Sequence, residues 1–449
     1  MKRAVVGLVR FLVDLFYRRV EVTGLENVPV EGPVLLVANH FNGLVDPMIV
    51  LRVLPRPVVF VAKSTLWKIP VLRTVLDLLG CVPVVRRGEE DREASSKGEE
   101  RNRGSFERLA VELERGGCVL IFPEGRSHSE PRLSALRTGA ARVLLLSKKS
   151  PLVVPVGLWF TKKEEFRSEA LVRIGPPVVP PADPSVEGWT DAIERALLDV
   201  TLNADDWNDH EVVAAVEALY GKSVEKDFLE GEEGLGSLGR SFRVRQLLLK
   251  ARGALEKTHP GEVASLARRA LAFDHLLRRI GISSGVLEDP PPALVILWNT
   301  FKALLLALLG FPVAVLGVLA WWVPYRLCGV VANRVPGASG QRDQIALYKL
   351  VAGTLLFPLF LGLETAFAWG LTGKLWAAAL VFIFLPLAGI VSLRFYEYAS
   401  WRESQGRELF ALAFMPGGIE RLRARRDALV AECDRLAGVF RGASDNRFA

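Results

Sequence analysis

The chain has 449 residues, half of them hydrophobic, and a formal net charge of +7. This length allows two or three domains, and so apolar a composition argues against an ordinary soluble protein. Lysine and arginine are scattered and flank apolar runs, which fits anionic lipid headgroups and argues against nucleic-acid binding. The four cysteines show neither zinc-site nor disulfide spacing, so the globular part is predicted to face a reducing compartment, the cytoplasm.

Residues 1–19 predict an amphipathic helix. Four charged residues, Arg3, Arg10, Asp14 and Arg18, fall on one helical stripe of an otherwise apolar segment. The apolar part is too short to span a bilayer, which takes about 20 residues. Its charges and the absence of a small-residue cleavage site distinguish it from a signal peptide. We expect this helix to lie in a membrane interface.

Residues 20–181 predict an α/β domain in which helices flank a central sheet. Short β-branched runs alternate here with helical stretches, a pattern typical of such domains. The predicted strands are residues 34–38, 58–62, 82–85, 119–122, 153–158 and 170–174. A charged, Ser- and Gly-containing stretch at residues 89–104 predicts a mobile surface loop.

Residues 182–292 are polar and helix-like, and they predict a helical connector without an active-site cluster. Residues 293–397 contain two long apolar blocks with basic residues on every flank. Because basic flanks prefer the cytoplasmic side, each block is predicted to be a hairpin. The second has room for two passes around the turn at residues 372–374. The first is shorter and broken at residues 310–312, which favours a re-entrant pair over a single tilted span.

Residues 398–449 form a polar tail that is predicted to be helical and cytoplasmic. A short heptad seam runs through it, made of Ile419, Leu422, Arg426, Leu429, Cys433, Leu436 and Phe440. Three heptads are marginal for a coiled coil, so packing on its own chain is favoured over a homodimer through this helix.

The first candidate site follows the predicted strand at residues 34–38, where His40 and Asp46 occur in the sequence Asn-His-Phe-Asn-Gly-Leu-Val-Asp-Pro. A neutral imidazole can take a proton from an attacking hydroxyl, and a carboxylate can fix its tautomer. The alternative is that Asp46 only caps a helix that Pro47 begins. Five residues separate the pair, so a regular helix would place their side chains about 120° apart. A turn at Asn42 and Gly43 is needed to bring them together.

Three further clusters lie at predicted strand ends. Residues 122–128 read Phe-Pro-Glu-Gly-Arg-Ser-His, in which glycine and arginine suit close approach to a phosphate. Residues 80–87 deliver Arg86 to a strand end, where a solvated terminus is the alternative interpretation. The sequence Val-Pro-Val-Gly at residues 154–157 reads by itself as a core strand. His128 could line a phosphate site, although a hydrogen bond that fixes its loop is the favoured role.

In order and spacing, these four clusters resemble the sequence blocks of the glycerophosphate and lysophosphatidate acyltransferase superfamily, the PlsC-like domain. The blocks are NH followed by D, G-x-x-P-V-x-R, FPEG and VPVG. The resemblance covers roughly residues 20–179 and is closest to the fungal-type glycerol-3-phosphate and dihydroxyacetone-phosphate acyltransferases, which also carry C-terminal membrane segments. The lysophosphatidate branch has Thr-Arg after FPEG, whereas here Arg126 comes one position earlier.

The resemblance implies a role for each motif residue. His40 would be the general base and Asp46 its orienting carboxylate. The acceptor phosphate would be bound, or the site completed, by Arg86, Glu124, Gly125, Arg126, Ser127 and His128, and Pro155 would shape the acyl or acceptor pocket. Neither a metal, a cofactor nor a covalent acyl-enzyme is implied.

The resemblance also implies a reaction and a location. A membrane-associated O-acyltransferase would move a fatty acyl group from acyl-CoA or acyl carrier protein to glycerol-3-phosphate or dihydroxyacetone phosphate, for phospholipid biosynthesis. Acylation of lysophosphatidate is the first alternative, and a non-catalytic membrane- or lipid-binding protein is the second. The catalytic domain would rest on membrane lipids and face the cytoplasm.

Overall fold

The computed structural model describes residues 1–85, 95–232, 234–289, 292–334, 345–414 and 416–445. The chain forms two compact units. The first comprises the described parts of residues 1–206, 232–242 and 335–350, and the second comprises those of residues 207–231, 243–334 and 351–449. The predicted loop at residues 89–104 lies partly outside the described residues, and from Ser95 onward it belongs to a helix.

The first unit is built on a seven-stranded mixed sheet in the order β1-β7-β6-β2-β5-β3-β4. Its strands are β1 (Arg19–Thr23), β2 (Val34–Ala38), β3 (Val59–Lys63), β4 (Val82–Val84), β5 (Cys118–Ile121), β6 (Leu152–Phe160) and β7 (Glu169–Ile174). Strands β2 to β6 run parallel, while β7 is antiparallel to β6 and parallel to β1. All six predicted strands form. The structure adds β1 as an edge strand, which the alternating pattern Arg-Val-Glu-Val-Thr explains.

Helices cover both faces of the sheet, as predicted. They are α1 (Lys2–Phe16), α2 (Val45–Val53), α3 (Pro70–Leu79), α4 (Ser95–Glu114), α5 (Gly139–Leu146) and α6 (Val186–Val200), with short 3-10 helices at Leu25–Asn27 and Ser64–Lys68. Helices α1 to α3 pack on the face that carries Leu36 and Val154. Helices α4 to α6 pack on the opposite face, against Leu35 and Val153.

The acyltransferase-like unit extends beyond the predicted boundary at residue 181. Ile193 and Leu197 of α6 are buried in the core beneath the sheet, so this helix belongs to the first unit and not to a separate connector. The polarity of residues 182–206 concealed this, because only one stripe of α6 is apolar. Residues 345–350 also join this unit, with Ala346 fully buried in its core.

The remaining helices are α7 (Trp207–Phe228), α8 (Ser237–Leu255), α9 (Pro260–Ile280), α10 (Ser284–Glu288), α11 (Ala293–Arg334), α12 (Ile345–Thr372), α13 (Leu375–Phe414) and α14 (Pro416–Asp445). In the second unit, α7 to α10 and α14 share one apolar core. Ile419, Leu429, Cys433 and Leu436 of α14 are buried there, which confirms that the tail packs on its own chain.

Three helices are long and apolar enough to cross a membrane, at Gly310–Arg334, Ile345–Thr372 and Leu375–Tyr398. The second apolar block forms two helices around the predicted turn, in which Gly373 has φ +63°. The predicted re-entrant pair in the first block is wrong, because α11 continues through Pro312 as one helix. A proline within an apolar helix does not end it when neighbouring groups satisfy the freed carbonyl. The chain is membrane-associated.

Candidate active site

His40 and Asp46 meet at the carboxyl end of the central strand β2. His40 Nδ1 lies 2.9 Å from Asp46 Oδ2, and both residues are buried. The chain turns between them at Gly43, whose φ is +45°, and α2 then begins at Val45. This turn resolves the five-residue spacing and confirms the predicted contact. Asp46 therefore lies in the first turn of α2 instead of at its N-cap.

The surroundings of Asp46 favour a proton on His40 Nδ1. Its Oδ2 also accepts the backbone N–H of Asn42 at 2.8 Å. Among the described residues, its Oδ1 has no hydrogen-bond partner and His40 Nε2 has none either. A buried carboxylate beside Nδ1 stabilises the imidazolium, and it leaves Nε2 as the acceptor in the neutral ring. The His40 ring is stacked on Phe122, with ring centroids 4.2 Å apart.

Asn39 fixes the strand end that carries the histidine. Its amide accepts the backbone N–H of Leu158 at 2.7 Å and donates to the Leu158 carbonyl at 3.0 Å. The side chain thereby continues the pairing of β2 with β6, whose last backbone pair is Ala38 with Val156. Asn39 is fully buried, and both ends of its amide are satisfied by this one partner.

Glu124 anchors the backbone of the catalytic loop. Its Oε1 accepts the backbone N–H of His40 at 2.7 Å, and its Oε2 accepts that of Ser134 at 2.7 Å and faces His128 Nε2. The carboxylate is 2% exposed. With its oxygens occupied by three donors, it is built to hold the loops that follow β2 and β5. A carboxylate would repel a phosphate, so it completes the site instead of binding that group.

His128 is engaged through both ring nitrogens. Nε2 faces Glu124, and Nδ1 accepts the backbone N–H of Glu130 at 3.1 Å. Its own backbone N–H donates to the His40 carbonyl at 3.1 Å. These bonds confirm the predicted loop-fixing role. They also assign the ring proton to Nε2, because Nδ1 is an acceptor.

Gly125 and two arginines form the outer edge of this centre. Gly125 has φ +70°, and a Cβ there would lie 2.6 Å from Arg137 Cδ. The Arg137 side chain therefore packs directly against Gly125, and any other residue at this position would displace Arg137. Arg126 is exposed, Ser127 is half-buried, and Arg137 is exposed as well. Arg126 follows Gly125 in the chain and Arg137 packs against Gly125, so two guanidinium groups give this edge a positive charge suited to a phosphate.

The other predicted residues are placed differently. Arg86 lies outside the described residues, although β4 ends just before it at the same sheet edge. Pro155 is paired with Val37 on the sheet face that α4 to α6 cover, and Gly175 packs against its ring. It shapes the strand core at this point and not the immediate surroundings of His40.

Four residues that sequence reasoning missed support the centre: Asn39, Arg137, Tyr17 and Lys163. Tyr17 is buried at the end of α1, and its hydroxyl accepts from Asn42 Nδ2 at 3.0 Å. Burial first, and then the charge of Asp46, raise the Tyr17 pKa well above its ordinary value. Lys163 lies between β6 and β7, far from the motifs in sequence. Only the position of Asn39 beside His40 offered a signal.

The centre thus combines an oriented imidazole with a positively charged rim. Parallel strands place the residues that follow β2, β5, β3 and β4 along one edge of the sheet, where ligands of such sheets bind. His40 Nε2 can accept a proton from a hydroxyl there. A phosphorylated hydroxyl compound held by the rim would bring its hydroxyl to that nitrogen.

Comparison with known proteins identifies the family that the domain carrying this centre resembles. A profile of the acyltransferase family matches residues 19–159. An uncharacterized acyltransferase of Schizosaccharomyces pombe is 24% identical over 95% of this chain and 79% of that protein. Glycerol-3-phosphate O-acyltransferase 2 of Saccharomyces cerevisiae is 32% identical over 26% of this chain, but only 18% of that protein is covered.

Related bacterial proteins match as well. The 1-acyl-sn-glycerol-3-phosphate acyltransferase of Borreliella burgdorferi is 28% identical over 36% of this chain and 58% of that protein. The crystal structure of the lysophosphatidate acyltransferase PlsC from Thermotoga maritima is 21% identical, with a TM-score of 0.34, over 44% of this chain and 78% of that one. The chain is therefore an O-acyltransferase whose residues 19–159 form the domain shared by glycerol-3-phosphate and 1-acylglycerol-3-phosphate acyltransferases.

Proposed function

We propose that this enzyme transfers a fatty acyl group from acyl-CoA, or acyl carrier protein, to glycerol-3-phosphate or dihydroxyacetone phosphate. The observation that carries the proposal is the 2.9 Å contact of His40 Nδ1 with buried Asp46, which leaves Nε2 as the proton acceptor of the neutral ring at the sheet edge that the residues following β5 share. An oriented base and a phosphate-binding rim are the two parts that acylation of a phosphorylated alcohol requires.

The reaction follows from these parts. His40 Nε2 takes the hydroxyl proton as the acceptor oxygen attacks the thioester carbonyl, and Asp46 stabilises the imidazolium that forms. The tetrahedral intermediate then collapses, the C–S bond breaks, and the imidazolium returns the proton to the leaving thiolate. The products are an ester and a free thiol. This route needs neither a metal nor a covalent acyl-enzyme.

The phosphate of the acceptor is proposed to bind at the rim formed by Arg126 and Arg137, with Ser127 and the backbone of Gly125 beside them. Arg86 is proposed as a further contact. Glu124 and His128 act by holding the loops, and Pro155 acts through the strand core, on the contacts described above. We therefore propose that the arginines contact the substrate, whereas Glu124, His128 and Pro155 only shape the site.

The choice of acceptor has two candidates. The sequence of residues 122–128 and the match to the yeast glycerol-3-phosphate O-acyltransferase support glycerol-3-phosphate or dihydroxyacetone phosphate. The match to the Borreliella burgdorferi protein supports 1-acylglycerol-3-phosphate as the second candidate. Both acceptors present a hydroxyl and a phosphate, so the same base and rim serve either one.

We also propose that the catalytic domain faces the cytoplasm. Basic residues flank the apolar blocks, and the positive-inside rule places such flanks on the cytoplasmic face. Helix α1 supports an interfacial position, because Leu8, Phe11 and Leu15 are exposed along one face while Val9 and Val13 are buried.

The test is acyl transfer from palmitoyl-CoA by the purified, detergent-solubilised full chain to each of three acceptors. Wild type and His40→Ala are compared at equal folded concentration. Product with glycerol-3-phosphate or dihydroxyacetone phosphate that depends on His40 supports the proposal. Product with lysophosphatidate alone replaces the first candidate by the second. Equal turnover by wild type and variant would refute His40 as the base.

A further inference from the structure

The connection between β6 and β7, residues 161–168, is fastened to the catalytic loops by Lys163. The Lys163 ammonium donates to the carbonyl of Phe41 at 2.8 Å, to Ser129 Oγ at 2.7 Å and to the carbonyl of His128 at 3.3 Å. Phe41 directly follows His40 in the loop after β2, and the other two acceptors belong to the loop after β5. One side chain therefore bridges the two loops that carry the His40 and Glu124 centres.

The backbone of the same residue reaches Asp46. The Lys163 carbonyl accepts from Asn42 Nδ2 at 3.0 Å, and the Asn42 backbone N–H donates to Asp46 Oδ2 at 2.8 Å. Lys163 thus holds the residue after His40 through its ammonium, and the residue that orients Asp46 through its carbonyl. The five-residue turn between the catalytic pair is fixed from one point.

An ammonium group has three hydrogens, and these three acceptors use them. Lys163 is half-buried and already bonded, so its charge serves to join protein loops instead of binding a substrate phosphate. The preceding Lys162 provides a contrast. It is largely exposed and pairs with Glu165 of its own loop at 3.0 Å.

The same connection is also held by the first two turns of α12. Lys349 Nζ donates to the carbonyl of Glu164 at 2.7 Å. Ala346 is fully buried in the core of this unit, and Leu347 and Leu350 pack against that core. The turn that begins an apolar, membrane-length helix is therefore an integral part of the catalytic unit, one residue away from Lys163.

We infer that Lys163 is a positioning residue for the acyl transfer proposed above, and that Lys349 supports it by anchoring the loop. Lys163 sets the distance between His40 and Asp46 and the direction of His40 Nε2. Its loss lets the turn at residues 40–46 relax, while the loop after β5 keeps its bonds to Glu124. The effect therefore falls on the chemical step and not on binding of either substrate.

The experiment compares Lys163→Met with Lys162→Met in the full-length, detergent-solubilised enzyme, with palmitoyl-CoA and glycerol-3-phosphate. Lys163→Met is expected to lower kcat about 10²-fold, the cost of a small misplacement of a catalytic group, with both KM values nearly unchanged. Lys163→Arg restores most of the loss, because it keeps a cation and several donors. Lys162→Met keeps wild-type kcat, and Lys349→Met lowers it about fivefold, as for one hydrogen bond.

A second variant guards against misfolding. The four cysteines are buried, so Lys163→Cys can be alkylated selectively with 2-bromoethylamine, which restores an ammonium on a side chain of nearly lysine length. Recovery of kcat after this treatment, but not after iodoacetamide, supports the inference. Equal kcat in Lys163→Met and Lys162→Met, or a loss confined to KM, would overturn it.

A readout that needs no turnover separates this inference from the proposed function. Diethyl pyrocarbonate modification of His40, followed by mass spectrometry with the exposed His275 of α9 as internal reference, reports how firmly the loop is held. Faster modification of His40 in Lys163→Met than in Lys162→Met supports positioning, and equal rates contradict it. Wild type without activity on any acceptor would refute the proposed function, while this measurement would still decide the role of Lys163.

Discussion

Two histidine–carboxylate pairs lie at the ends of the neighbouring strands β2 and β5, and they differ at one ring nitrogen. In the pair of His40 with Asp46, only Nδ1 has a partner among the described residues. In the pair of His128 with Glu124, Nε2 faces the carboxylate and Nδ1 accepts a backbone N–H. Both imidazoles are buried to a similar extent.

The two rings differ in whether a nitrogen remains available to accept a proton. A general base needs a lone pair within reach of the substrate hydroxyl, and the first pair leaves Nε2 available. The second pair has used both nitrogens inside the loop after β5, on Glu124 and on the backbone N–H of Glu130. A carboxylate beside a histidine therefore indicates a base only when the remaining nitrogen is open. The second pair serves the first, since Glu124 also binds the His40 backbone.

The largest expected effect separates the two histidines directly. His40→Ala is expected to lower kcat/KM by about 10³-fold, within the range for loss of a general base, without lowering the melting temperature. His128→Ala is expected to lower activity only about tenfold but to destabilise the fold by about 1–3 kcal/mol, because Glu124 loses a buried partner. Palmitoyl-CoA turnover and thermal unfolding of both variants check this. Equal activity losses would break the distinction between the two pairs.

Substitution of the two carboxylates, Asp46 and Glu124, tests the same difference between the pairs. Asp46→Asn is expected to cost about 10²- to 10⁴-fold in kcat, because an amide no longer selects the Nδ1–H tautomer. Glu124→Gln is expected to cost about tenfold in kcat and 1–3 kcal/mol in stability, because its amide would face an N–H donor. Steady-state kinetics and chemical unfolding distinguish them. A larger kcat loss for Glu124→Gln would give that carboxylate a direct role in the reaction.

The sequence predicted most of the pair of His40 with Asp46, but few of the hydrogen bonds that hold this pair in place. Parallel strands with helical crossovers predicted that residues following different strands share one edge, and the structure agrees. The His40–Asp46 contact required a turn that the intervening Asn42 and Gly43 could supply, and they do. What these local patterns could specify was the end of each strand and the type of side chain placed there.

The support could not be predicted because its partners are distant in sequence. Lys163 is about 120 residues from Phe41, and Asn39 bonds to Leu158 over a similar separation. Neither contact leaves a periodic signal, since each depends on how three loops pack in space. Glu124 was expected near a phosphate because glycine and arginine follow it, yet its oxygens face backbone donors. Residue type alone does not reveal which partner a buried carboxylate meets.

A smaller effect is expected from Gly125→Ala in the loop of the second pair. The φ of +70° costs about 1–2 kcal/mol for a residue with a Cβ, and that Cβ would displace Arg137. Gly116→Ala is the matched control, with φ +84° and open space around its Cβ. Both variants should lose similar stability, but only Gly125→Ala should raise the KM for the phosphorylated acceptor. An unchanged KM would remove Arg137 from the phosphate site.

The smallest effect concerns Tyr17, which supports the first pair through Asn42. Tyr17→Phe removes one acceptor of Asn42 Nδ2, which keeps its bond to the Lys163 carbonyl, so kcat should fall only about two- to fivefold. Burial and Asp46 raise the Tyr17 pKa, so the hydroxyl stays neutral through the assay range and the alkaline limb of the pH profile should not move. Above a pH of about 10, tyrosine ionises in the unfolded chain first. The stability of wild type should therefore decline with pH more steeply than that of Tyr17→Phe. A shifted alkaline limb in the variant would show that Tyr17 titrates within the assay range and takes part in the charge balance around Asp46.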